Sequence, residues 1–472
     1  MVELALAEAA AACHARIVGA GSLLLRGASL DSRSVPAGGL FVAVRGEKSD
    51  GHDFVAAAFD QGASAALVSR ELPVPPGRAL LVVAEVPAAL LDLARAIRLR
   101  EKWQVVAVTG SAGKTTTKEM TATILSGFRK TGRSPGNRNN TLGLPEAILC
   151  AEKGLELYVA ECGMSFAGEL ALLASALRPD LVIYTNVAPA HLQNFGSVDE
   201  IEWAKEELIA GAGPKAVVIA NADDPRASAI AKRHPGRRVD YGIDSPAEVR
   251  ATGIRALEDS VQFLLVTPQG SAPAEIPMPG RHNVSNFLAA AAAGSVLGMS
   301  PEAIADRARI VRPARHRGER HRLPNGALVV DESYNSNPRA LCATAESFGE
   351  QPAPGGGRRI GILGEMRELG AESESLHRET GRRIARYFDE IVAVGGADAR
   401  SLVEGAREGG LSSRATRLLP TPESAAASVL EKLMPTDRIL LKGSRGVGLE
   451  RALPALGIKT DIADAGLPGP RS

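Results

Sequence analysis

A glycine-rich stretch that joins an apolar run to a helical pattern constrains the fold more than any other feature of this chain. It reads VVAVTGSAGKTTTKEM and runs from Val105 to Met120. Gly110 and Gly113 allow backbone N–H groups to approach an anion, and the dipole of the following helix favours negative charge. A loop of this kind has a strand before it and a helix after it. We therefore expect an α/β unit that binds phosphate.

The residues after the glycines refine this expectation. Lys114 can reach terminal phosphates, and the hydroxyl of Thr115 suits a Mg²⁺ ligand. The strict GxxxxGK[ST] pattern requires glycine at position 108, where this chain has Val108. The motif is therefore the shorter TGxxGKT form.

The rest of the chain continues the alternation of strands and helices. Apolar runs such as LELYVAEC, PDLVIYTNV and KAVVIANADDP alternate with helical patterns, which indicates a mainly parallel sheet with helices on both faces. From about residue 327, a second series of strand-then-loop units is of Rossmann type. We predict an α/β protein of three domains: a small α/β domain (1–102), a central P-loop mononucleotide-binding domain (103–312) and a C-terminal Rossmann-like domain (313–459). The tail, 460–472, has few apolar residues and is predicted to be disordered.

Composition excludes several classes of protein. Lys and Arg total 55 and Asp and Glu total 54, and this balance argues against a general nucleic-acid or membrane-surface binder. The four cysteines contain no CxxC pair, which excludes a zinc ribbon and favours a reducing compartment. The N-terminus lacks the pattern of a signal peptide, and no window reaches about 18 uninterrupted apolar residues. We expect a cytoplasmic protein without a membrane span.

Three residues outside the loop are candidates for its chemistry. Glu161 and His191 follow apolar strands, and ligands in open α/β sheets lie outside the carboxyl ends of strands. A carboxylate with a hydroxyl and phosphates suits Mg²⁺, whereas a histidine on Mg²⁺ is less usual, and His191 alone is more typical of a surface or core histidine. Lys205 alone is typical of a solvated lysine, since glutamates flank it.

Other candidates have two interpretations each. Asn283 and Asn286, one turn apart, could cap a helix or contact a nucleotide base. Asp331 ends a strand, where it could hold a ribose hydroxyl or a metal-bound water, or act as a turn residue. The basic run Arg312–Arg322 is either a solvated domain junction or the source of an arginine for a γ-phosphate.

Eight segments in order resemble the Mur ligase family, over nearly the whole chain. They are DSRSVPAGGLFVAVRGEKSDGHDF, VTGSAGKTTTKEM, GNRNNTLGLPEAIL, NVAPAHLQNFGSVDEIEWAKEEL, PGRHNVSNFLAAAA, VVDESYNSNP, GEMRELGAESESLH and LLKGSRG. The resemblance implies one domain for a uridine nucleotide, one for ATP and one for the incoming amino compound. It implies that ATP activates the carboxylate of UDP-N-acetylmuramoyl-tripeptide and that the amine of D-alanyl-D-alanine attacks the acyl phosphate. We expect a monomer that binds no nucleic acid.

The resemblance also implies roles for individual residues. It implies that Lys114, Glu161, His191 and Lys205 are catalytic, and that Thr115, Glu161, His191 and a carbamylated Lys205 bind Mg²⁺. The residues implied to bind ATP are Thr109, Gly110, Ser111, Ala112, Gly113, Lys114, Thr115, Thr116, Asn283, Asn286, Arg317 and Asp331, although the basic run can be aligned with Arg315 instead of Arg317. The residues implied to bind substrate are Ser32, Arg33, Asp50, Gly51, Asn137, Asn139, Asn140, Thr141, Asn335, Lys442, Ser444 and Arg445.

Two alternatives compete with this interpretation. A sister ligase that adds lysine or diaminopimelate would share DSR and the phosphate loop, but it would show a DYAH-like strand end where this chain has DESYNSNP. A nucleotide-binding scaffold without chemistry would not need to retain Lys114, Glu161, His191 and Lys205 together.

Overall fold

A computed structural model describes residues 1–190, 192–351 and 354–459. Over these ranges, the chain forms sheets of five, nine and six strands and a separate two-stranded ribbon. The predicted α/β class with three successive α/β regions is confirmed. The domain boundaries at 102/103 and 312/313 stay a prediction, and the tail 460–472 lies outside the described residues.

The first region is a small sheet with helices. Its elements are β1 (Glu3–Ala5), α1 (Leu6–Ala12), β2 (Arg16–Gly19), β3 (Leu24–Arg26), β4 (Ala28–Ser29), β5 (Leu40–Val42), α2 (Val55–Asp60), β6 (Ala65–Val68), β7 (Ala79–Val82) and α3 (Val86–Glu101). The sheet has the order β2-β7-β6-β5-β4, and only β2 is antiparallel to its neighbour. Helix α3 buries Leu90, Leu93, Ala94 and Ile97, a spacing that gives one apolar face.

The middle region contains the phosphate loop. Its elements are β8 (Gln104–Thr109), α4 (Lys114–Leu125), β9 (Thr131–Arg133), α5 (Gly143–Leu149), β10 (Leu157–Glu161), α6 (Glu169–Leu177), β11 (Leu181–Tyr184), α7 (Val198–Ala212), β12 (Val217–Asn221), α8 (Pro225–Arg233), β13 (Arg238–Gly242), β14 (Val249–Ala256), β15 (Val261–Thr267), β16 (Gly270–Ile276), α9 (Arg281–Val296) and α10 (Pro301–Ala308). The strand order is β16-β15-β14-β13-β12-β11-β8-β10-β9. Strands β8 to β14 are parallel to their neighbours in this order, and β15 is antiparallel to both β14 and β16.

The third region is a second, mostly parallel sheet. Its elements are β17 (Glu319–Arg322), β18 (Leu328–Glu332), α11 (Pro338–Glu350), β19 (Arg359–Gly364), α12 (Ser373–Ile384), β20 (Glu390–Val394), α13 (Ala397–Glu408), β21 (Thr416–Leu419), α14 (Pro422–Leu430), β22 (Arg438–Lys442) and α15 (Ala452–Ala455). The strand order is β17-β18-β22-β19-β20-β21, and only the edge strand β17 is antiparallel.

The two junctions between regions differ in chemistry. Helix α3 packs against α5 and α6, and one apolar cluster runs from the first region into the middle sheet. The third region has separate apolar clusters of its own. Charged contacts connect it to the middle region: Arg339 pairs with Asp224 at 2.5 Å, and Arg322 pairs with Glu258 at 3.2 Å.

Candidate active site

Strand order places the candidate residues of the middle region around one loop. Strand β8 lies between β10 and β11, and all three are parallel, so their carboxyl ends share one edge of the sheet. Glu161, the last residue of β10, is opposite Val108, and Tyr184, the last residue of β11, is opposite Thr109. The phosphate loop therefore starts between Glu161 on one side and the segment after β11 on the other.

The segment after β11 holds the phosphate loop in shape. Gly110 has φ 149°, and a Cβ there would lie 1.9 Å from Thr185 Oγ1, so no side chain fits. The Thr185 hydroxyl donates to the carbonyl of Ala112 (2.7 Å), and the Ala112 N–H donates to Asn186 Oδ1 (3.0 Å). Sequence reasoning missed Thr185 and Asn186, although the pair directly follows a strand beside the loop.

Helix α9 closes the other side of the loop. Gly113 has φ 81°, and a Cβ there would lie 2.5 Å from Asn286 Oδ1. The Thr117 hydroxyl donates to the same oxygen at 3.3 Å. Asn283 donates to the carbonyl of Pro279 at 2.8 Å, and the residue at the N-cap of α9 is Gly280. Neither asparagine therefore caps this helix, and their contact with a nucleotide stays a prediction.

Lys114 begins helix α4, where the N–H groups of the first turn have no intrahelical partner and can bind an anion. Its ammonium donates to the carbonyl of Gly110 at 2.8 Å. Burial lowers the pKa of Lys114; the nearby carboxylate of Glu161 opposes this effect, and the guanidinium of Arg317 adds to it. Thr115 is buried beside it. Lys114, Glu161 and Arg317 are thus close enough to influence one another.

Glu161 carries an oxygen that is ready for a cation. The carboxylate is 2 % exposed, and its Oε1 accepts a hydrogen bond from Asn139 Nδ2 at 2.8 Å. Its Oε2 is buried and has no hydrogen-bond partner within the part of the chain that the structure describes. The ammonium of Lys118 lies 3.8 Å from this oxygen, too far for a hydrogen bond. A buried carboxylate oxygen that accepts no hydrogen bond is costly unless cations compensate its charge. This donor fits a divalent cation with oxygen ligands.

Lys205 is not solvated, and the interpretation of this residue as an exposed lysine is wrong. It is 3 % exposed on α7. Burial lowers the pKa of its ammonium well below the ordinary value, and the charge of Lys114 lowers it further. A lowered pKa favours the neutral amine, which is the form that reacts with CO₂. His191, the third proposed metal ligand, lies outside the described residues.

The third region brings aromatic and basic groups to the same cleft. The guanidinium of Arg317 lies 4.0 Å from the ring centroid of Tyr334, and that of Arg445 lies 5.7 Å from the same ring. Burial raises the pKa of Tyr334; the charges of Arg317 and Arg445 oppose this effect, and that of Glu161 adds to it. Arg317 is the arginine of its run whose charge also acts on Lys114.

Asp331 has the local contacts of a turn residue. The carboxylate is fully buried, with Oδ1 accepting from the N–H and hydroxyl of Ser333 (3.0 and 2.6 Å) and Oδ2 lying 2.6 Å from His316 Nδ1. Burial raises its pKa, but the hydrogen bonds of His316 and Ser333 outweigh that effect, so the pKa lies below the ordinary value. Contact with ATP stays a prediction.

Two residues of the LLKGSRG motif, Lys442 and Ser444, form hydrogen bonds within the third region itself. Lys442 is buried, and its ammonium donates to the carbonyl of Asn335 (3.2 Å) and to Glu332 Oε2 (3.3 Å). The Ser444 hydroxyl donates to the carbonyl of Ser336 at 3.0 Å. Both side chains hold the turn after β18. Asn335 and Arg445 are more exposed and are better placed to contact a substrate.

The substrate residues predicted in the first region make contacts within that region. Arg33, in the Ser32–Arg33 pair, binds Asp31 at 2.7 Å. Asp50 accepts from the backbone N–H of His52 (3.0 Å), and the two side chains lie 2.6 Å apart. The backbone hydrogen bond has the larger effect and the side-chain contact the next, and together they lower the pKa of Asp50 to about 2. The Gly51 N–H donates to the carbonyl of Val44 at 2.9 Å.

The loop 134–142 connects the first region with the metal-binding candidate. Asn139 binds Glu161, and Asn140 Oδ1 accepts from the N–H of Gly143 (2.7 Å) at the start of α5. Buried Glu146 on α5 accepts from the N–H of Leu30 at 3.3 Å, two residues before Ser32. Asn137 is exposed, and Thr141 is half-buried. The predicted substrate residues on this loop therefore lie between the first region and Glu161.

The fold and the site together define a class: an α/β protein of three successive regions, with a glycine-rich loop and a buried carboxylate, that of Glu161, side by side in its middle region. Profiles of known families match it in three consecutive segments. These are the Mur ligase family catalytic domain over residues 25–114, the Mur ligase middle domain over 108–294, and the glutamate ligase domain of Mur ligases over 316–445.

Similar proteins extend over almost the whole chain. The UDP-N-acetylmuramoyl-tripeptide–D-alanyl-D-alanine ligase of Escherichia coli K12 is 34 % identical over 464 residues, covering 97 % of this chain and 99 % of that protein. The crystal structure of MurF from Acinetobacter baumannii has a TM-score of 0.86 at 31 % identity, covering 97 % of this chain and 99 % of that one. MurF ligase from Thermotoga maritima in complex with ADP has a TM-score of 0.80 at 28 % identity, covering 91 % and 97 %. The chain belongs to the Mur ligase family, so the predicted resemblance is confirmed. None of the helices that the structure describes has the length and apolarity needed to cross a membrane.

Proposed function

We propose that this chain uses ATP to join D-alanyl-D-alanine to UDP-N-acetylmuramoyl-tripeptide, forming the UDP-linked pentapeptide precursor of peptidoglycan. Relatives with that ligase name, from Escherichia coli and Bacillus subtilis, align over 97 % and 92 % of the chain. The observation that carries the proposal is the place of the Lys114 loop beside the end of β10, where Glu161 is buried, together with the burial of Lys205, on whose amine the charge of Lys114 acts. A ligase needs this combination, because it must bind phosphates and a metal where water is excluded.

The first proposed step activates the tripeptide. The N–H groups at the start of α4 and the ammonium of Lys114 bind the terminal phosphates of ATP. A carboxylate oxygen of the tripeptide attacks the γ-phosphorus, the bond to the β-phosphate oxygen breaks, and ADP leaves. Negative charge spreads over the transferred group, and the guanidinium of Arg317, which reaches this cleft from the third region, stabilises it.

The second proposed step forms the amide. The amine of the dipeptide attacks the acyl carbon, inorganic phosphate leaves, and the nitrogen loses a proton. The acyl phosphate hydrolyses easily, so the third region has to cover the cleft while the amine arrives. We assign this role to Tyr334 and Arg445, whose ring and guanidinium lie 5.7 Å apart.

We assign Mg²⁺ to Thr115, Glu161, His191 and Lys205 as a carbamate. When bound, the ion would neutralise phosphate charge and orient the reacting groups. Glu161 offers its unpartnered Oε2, and Thr115 its hydroxyl. Neutral Lys205 can add CO₂ at Nζ and lose a proton, which converts an amine that cannot bind the cation into an anionic oxygen donor.

The wider assignments follow from this activity. We propose that the protein is a cytoplasmic monomer that supplies cell-wall synthesis and therefore affects cell shape and cell division. Light scattering on a size-exclusion column tests the monomer. Depletion of the protein in its own host, followed by microscopy and extraction of nucleotide precursors, tests the cellular role: the UDP-tripeptide should accumulate.

The decisive experiment measures phosphate release with ATP, Mg²⁺ and UDP-N-acetylmuramoyl-tripeptide, with and without D-alanyl-D-alanine. We expect release to depend on the dipeptide and mass spectrometry to show one new amide. Lysine and diaminopimelate, offered with the UDP-dipeptide, test the sister-ligase alternative. Release that ignores the dipeptide, with no amide formed, would instead indicate a nucleotide-driven switch.

A further inference from the structure

Lys118 is a buried charge that the proposed mechanism does not use. It lies one turn after Lys114 on α4, and its side chain is fully buried. Its ammonium donates to the carbonyl of Gly136 at 2.8 Å and pairs with Glu119 Oε1 at 3.0 Å. The same ammonium lies 3.8 Å from Glu161 Oε2, the oxygen that has no hydrogen-bond partner among the described residues.

The loop 134–142 surrounds Glu161 through other contacts as well. Asn139 Nδ2 donates to Glu161 Oε1 at 2.8 Å, and the Glu161 N–H donates to the hydroxyl of Ser134 at 3.0 Å. The N–H of Gly163 donates to the carbonyl of Asn139 at 2.8 Å. One carboxylate oxygen of Glu161 thus meets this loop directly, and the other meets it through Lys118.

A fully buried ammonium needs a compensating role. Removing a lysine from water costs several kcal/mol per ion in effective terms, and well-packed apolar residues often replace buried ion pairs without loss of stability. Glu119 anchors Lys118 and in turn pairs with Arg133 on β9 at 2.6 Å. The ammonium is therefore fixed in one position, between the carbonyl of Gly136 and Oε2 of Glu161.

This position connects two parts of the reaction. The loop 134–142 carries predicted contacts to the UDP-substrate and leads to α5, which binds the first region through Glu146. A movement of the loop on substrate binding would move the Gly136 carbonyl and with it the ammonium of Lys118. A metal on Glu161 Oε2 would repel the same ammonium and push it toward the carbonyl of Gly136 in the loop.

We propose that Lys118 is a positioning residue that couples metal binding at Glu161 to binding of the UDP-substrate at the loop 134–142. The proposal rests on the proposed function, which assigns the metal to Glu161 and the UDP-substrate to the loop. Coupling between two binding sites is reciprocal, so the metal tightens binding of the UDP-substrate by the same factor by which the substrate tightens metal binding.

The test is a binding experiment that requires no turnover. Calorimetry measures the dissociation constant of UDP-N-acetylmuramoyl-tripeptide for the ADP-saturated protein, with Mn²⁺ and without any metal. We expect the wild type to bind about tenfold more tightly with the metal. Lys118→Met should lower this ratio at least about threefold, and Lys118→Arg, which keeps the charge, should retain more of it.

Two further variants separate coupling from damage. Glu119→Gln leaves Lys118 in place but weakens its anchor, so the ratio should fall by less than in Lys118→Met. Lys130→Met removes a surface lysine of the same region whose ammonium also donates to a backbone carbonyl, that of Lys153 at 2.8 Å, and should leave the ratio unchanged. Binding of ADP without metal, which tests the phosphate loop alone, should be unchanged in every variant.

The possible failures are distinguishable. A wild-type ratio near one, or a wild-type ratio retained in a folded Lys118→Met protein, would overturn the coupling role of Lys118 alone. If Lys118→Met does not fold, an unchanged ratio in Glu119→Gln would do the same. If Glu161→Gln binds Mn²⁺ as the wild type does and the wild type forms no amide, the proposed function fails, and the inference that rests on it fails with it.

Discussion

The two junctions of this protein are built from different interactions. Between the first and middle regions, α3 packs on α5 and α6 inside one apolar cluster that includes Leu93 and Ile97. Between the middle and third regions, the contacts include ion pairs such as Arg339–Asp224 and Arg322–Glu258. Buried apolar area stabilises a contact continuously and without direction, whereas partly exposed ion pairs contribute little each and can be exchanged for water.

The difference indicates which part of the molecule moves. The first and middle regions share a core and should behave as one body, while the third region can separate from them. The candidate active site lies at the movable junction, with Lys114, Glu161 and Lys205 in the middle region and Arg317 and Tyr334 in the third. Opening would admit substrates, and closing would exclude water from the acyl phosphate.

The largest expected effect concerns the immobile half of the site. Lys205→Ala removes the buried amine that we assign to the metal, and activity should fall about a thousandfold, or roughly 4 kcal/mol in the barrier. Bicarbonate should not restore it, whereas a short carboxylate should restore part of it by supplying oxygen ligands. The measurement is steady-state amide formation with and without added formate or acetate. Full activity in the variant would remove Lys205 from the site.

The next effect tests the shared core. Leu93→Ala removes a fully buried side chain from α3 and should lower the free energy of unfolding by about 3 kcal/mol. Because the first and middle regions share this cluster, their unfolding transitions should shift together. Unfolding in urea, monitored by hydrogen exchange and mass spectrometry, gives a separate transition for each region.

The matched control for that variant is Leu341→Ala, which truncates an equally buried leucine in a cluster of the third region. It should shift the transition of the third region and leave the other two in place. If Leu93→Ala shifts the first region alone, the two regions do not form one body and the comparison of the junctions is wrong.

A smaller effect is expected at the polar junction. Arg339→Ala removes the partner of buried Asp224. We expect this change to destabilise the closed arrangement of the third region by about 1 kcal/mol, or roughly a fivefold shift toward the separated arrangement. Small-angle scattering should show a larger radius of gyration. The wild type should become more compact when an ATP analogue and the UDP-substrate are added.

Arg98→Ala is the corresponding change at the apolar junction, where Arg98 on α3 pairs with Asp180 at 2.9 Å. Scattering should be the same as for the wild type, because the shared core keeps the regions together without this pair. An expansion in Arg98→Ala equal to that in Arg339→Ala would show that ion pairs maintain both junctions.

The smallest effect is a response to pH, with opposite signs in two places. Burial, opposed by Arg138, raises the pKa of Glu146 above 4.5 at the apolar junction, so the folded protein holds a proton that the unfolded chain releases. Stability should fall as pH rises from 4.5 through the folded pKa. The pKa of Asp331 in the third region lies below 3.8, so its contribution is lost as pH falls below 3.8. The measurement is urea unfolding of the wild type and of Glu146→Gln at a series of pH values. The fall in stability as pH rises above 4.5 should be absent in the variant, and a fall equal to that of the wild type would contradict the assignment to Glu146.

The sequence predicted the phosphate loop and the three α/β regions well, because both depend on local patterns. Gly110 and Gly113 occupy positions where added side chains would collide with Thr185 and Asn286. Alternating apolar runs and helical patterns indicated the parallel sheets. These signals lie within short segments and do not depend on how distant segments meet.

Burial of isolated charged residues was not predictable from the sequence. Lys205 has glutamates beside it in the sequence, and only the packing of α7 against the sheet makes it a buried amine. The sequence around Lys118 gives no sign of its burial, because its contacts are with the carbonyl of Gly136 in a loop and with Glu161 at the end of a strand. For Asn283 and Asn286, the position of Gly280 at the helix start excludes the capping alternative, and contact with a nucleotide stays a prediction.

The apolar cluster that unites the first two regions also determines where the gene could be divided. A polypeptide that began at residue 103 would lose α3, which packs on α5 and α6. Apolar residues of those helices that belong to the shared cluster, such as Leu149 and Leu173, would then become exposed and promote aggregation. Division just before the third region would separate the ion pairs Arg339–Asp224 and Arg322–Glu258, and water solvates their charged side chains readily. Exchange of modules between relatives would therefore be best tolerated at that second position.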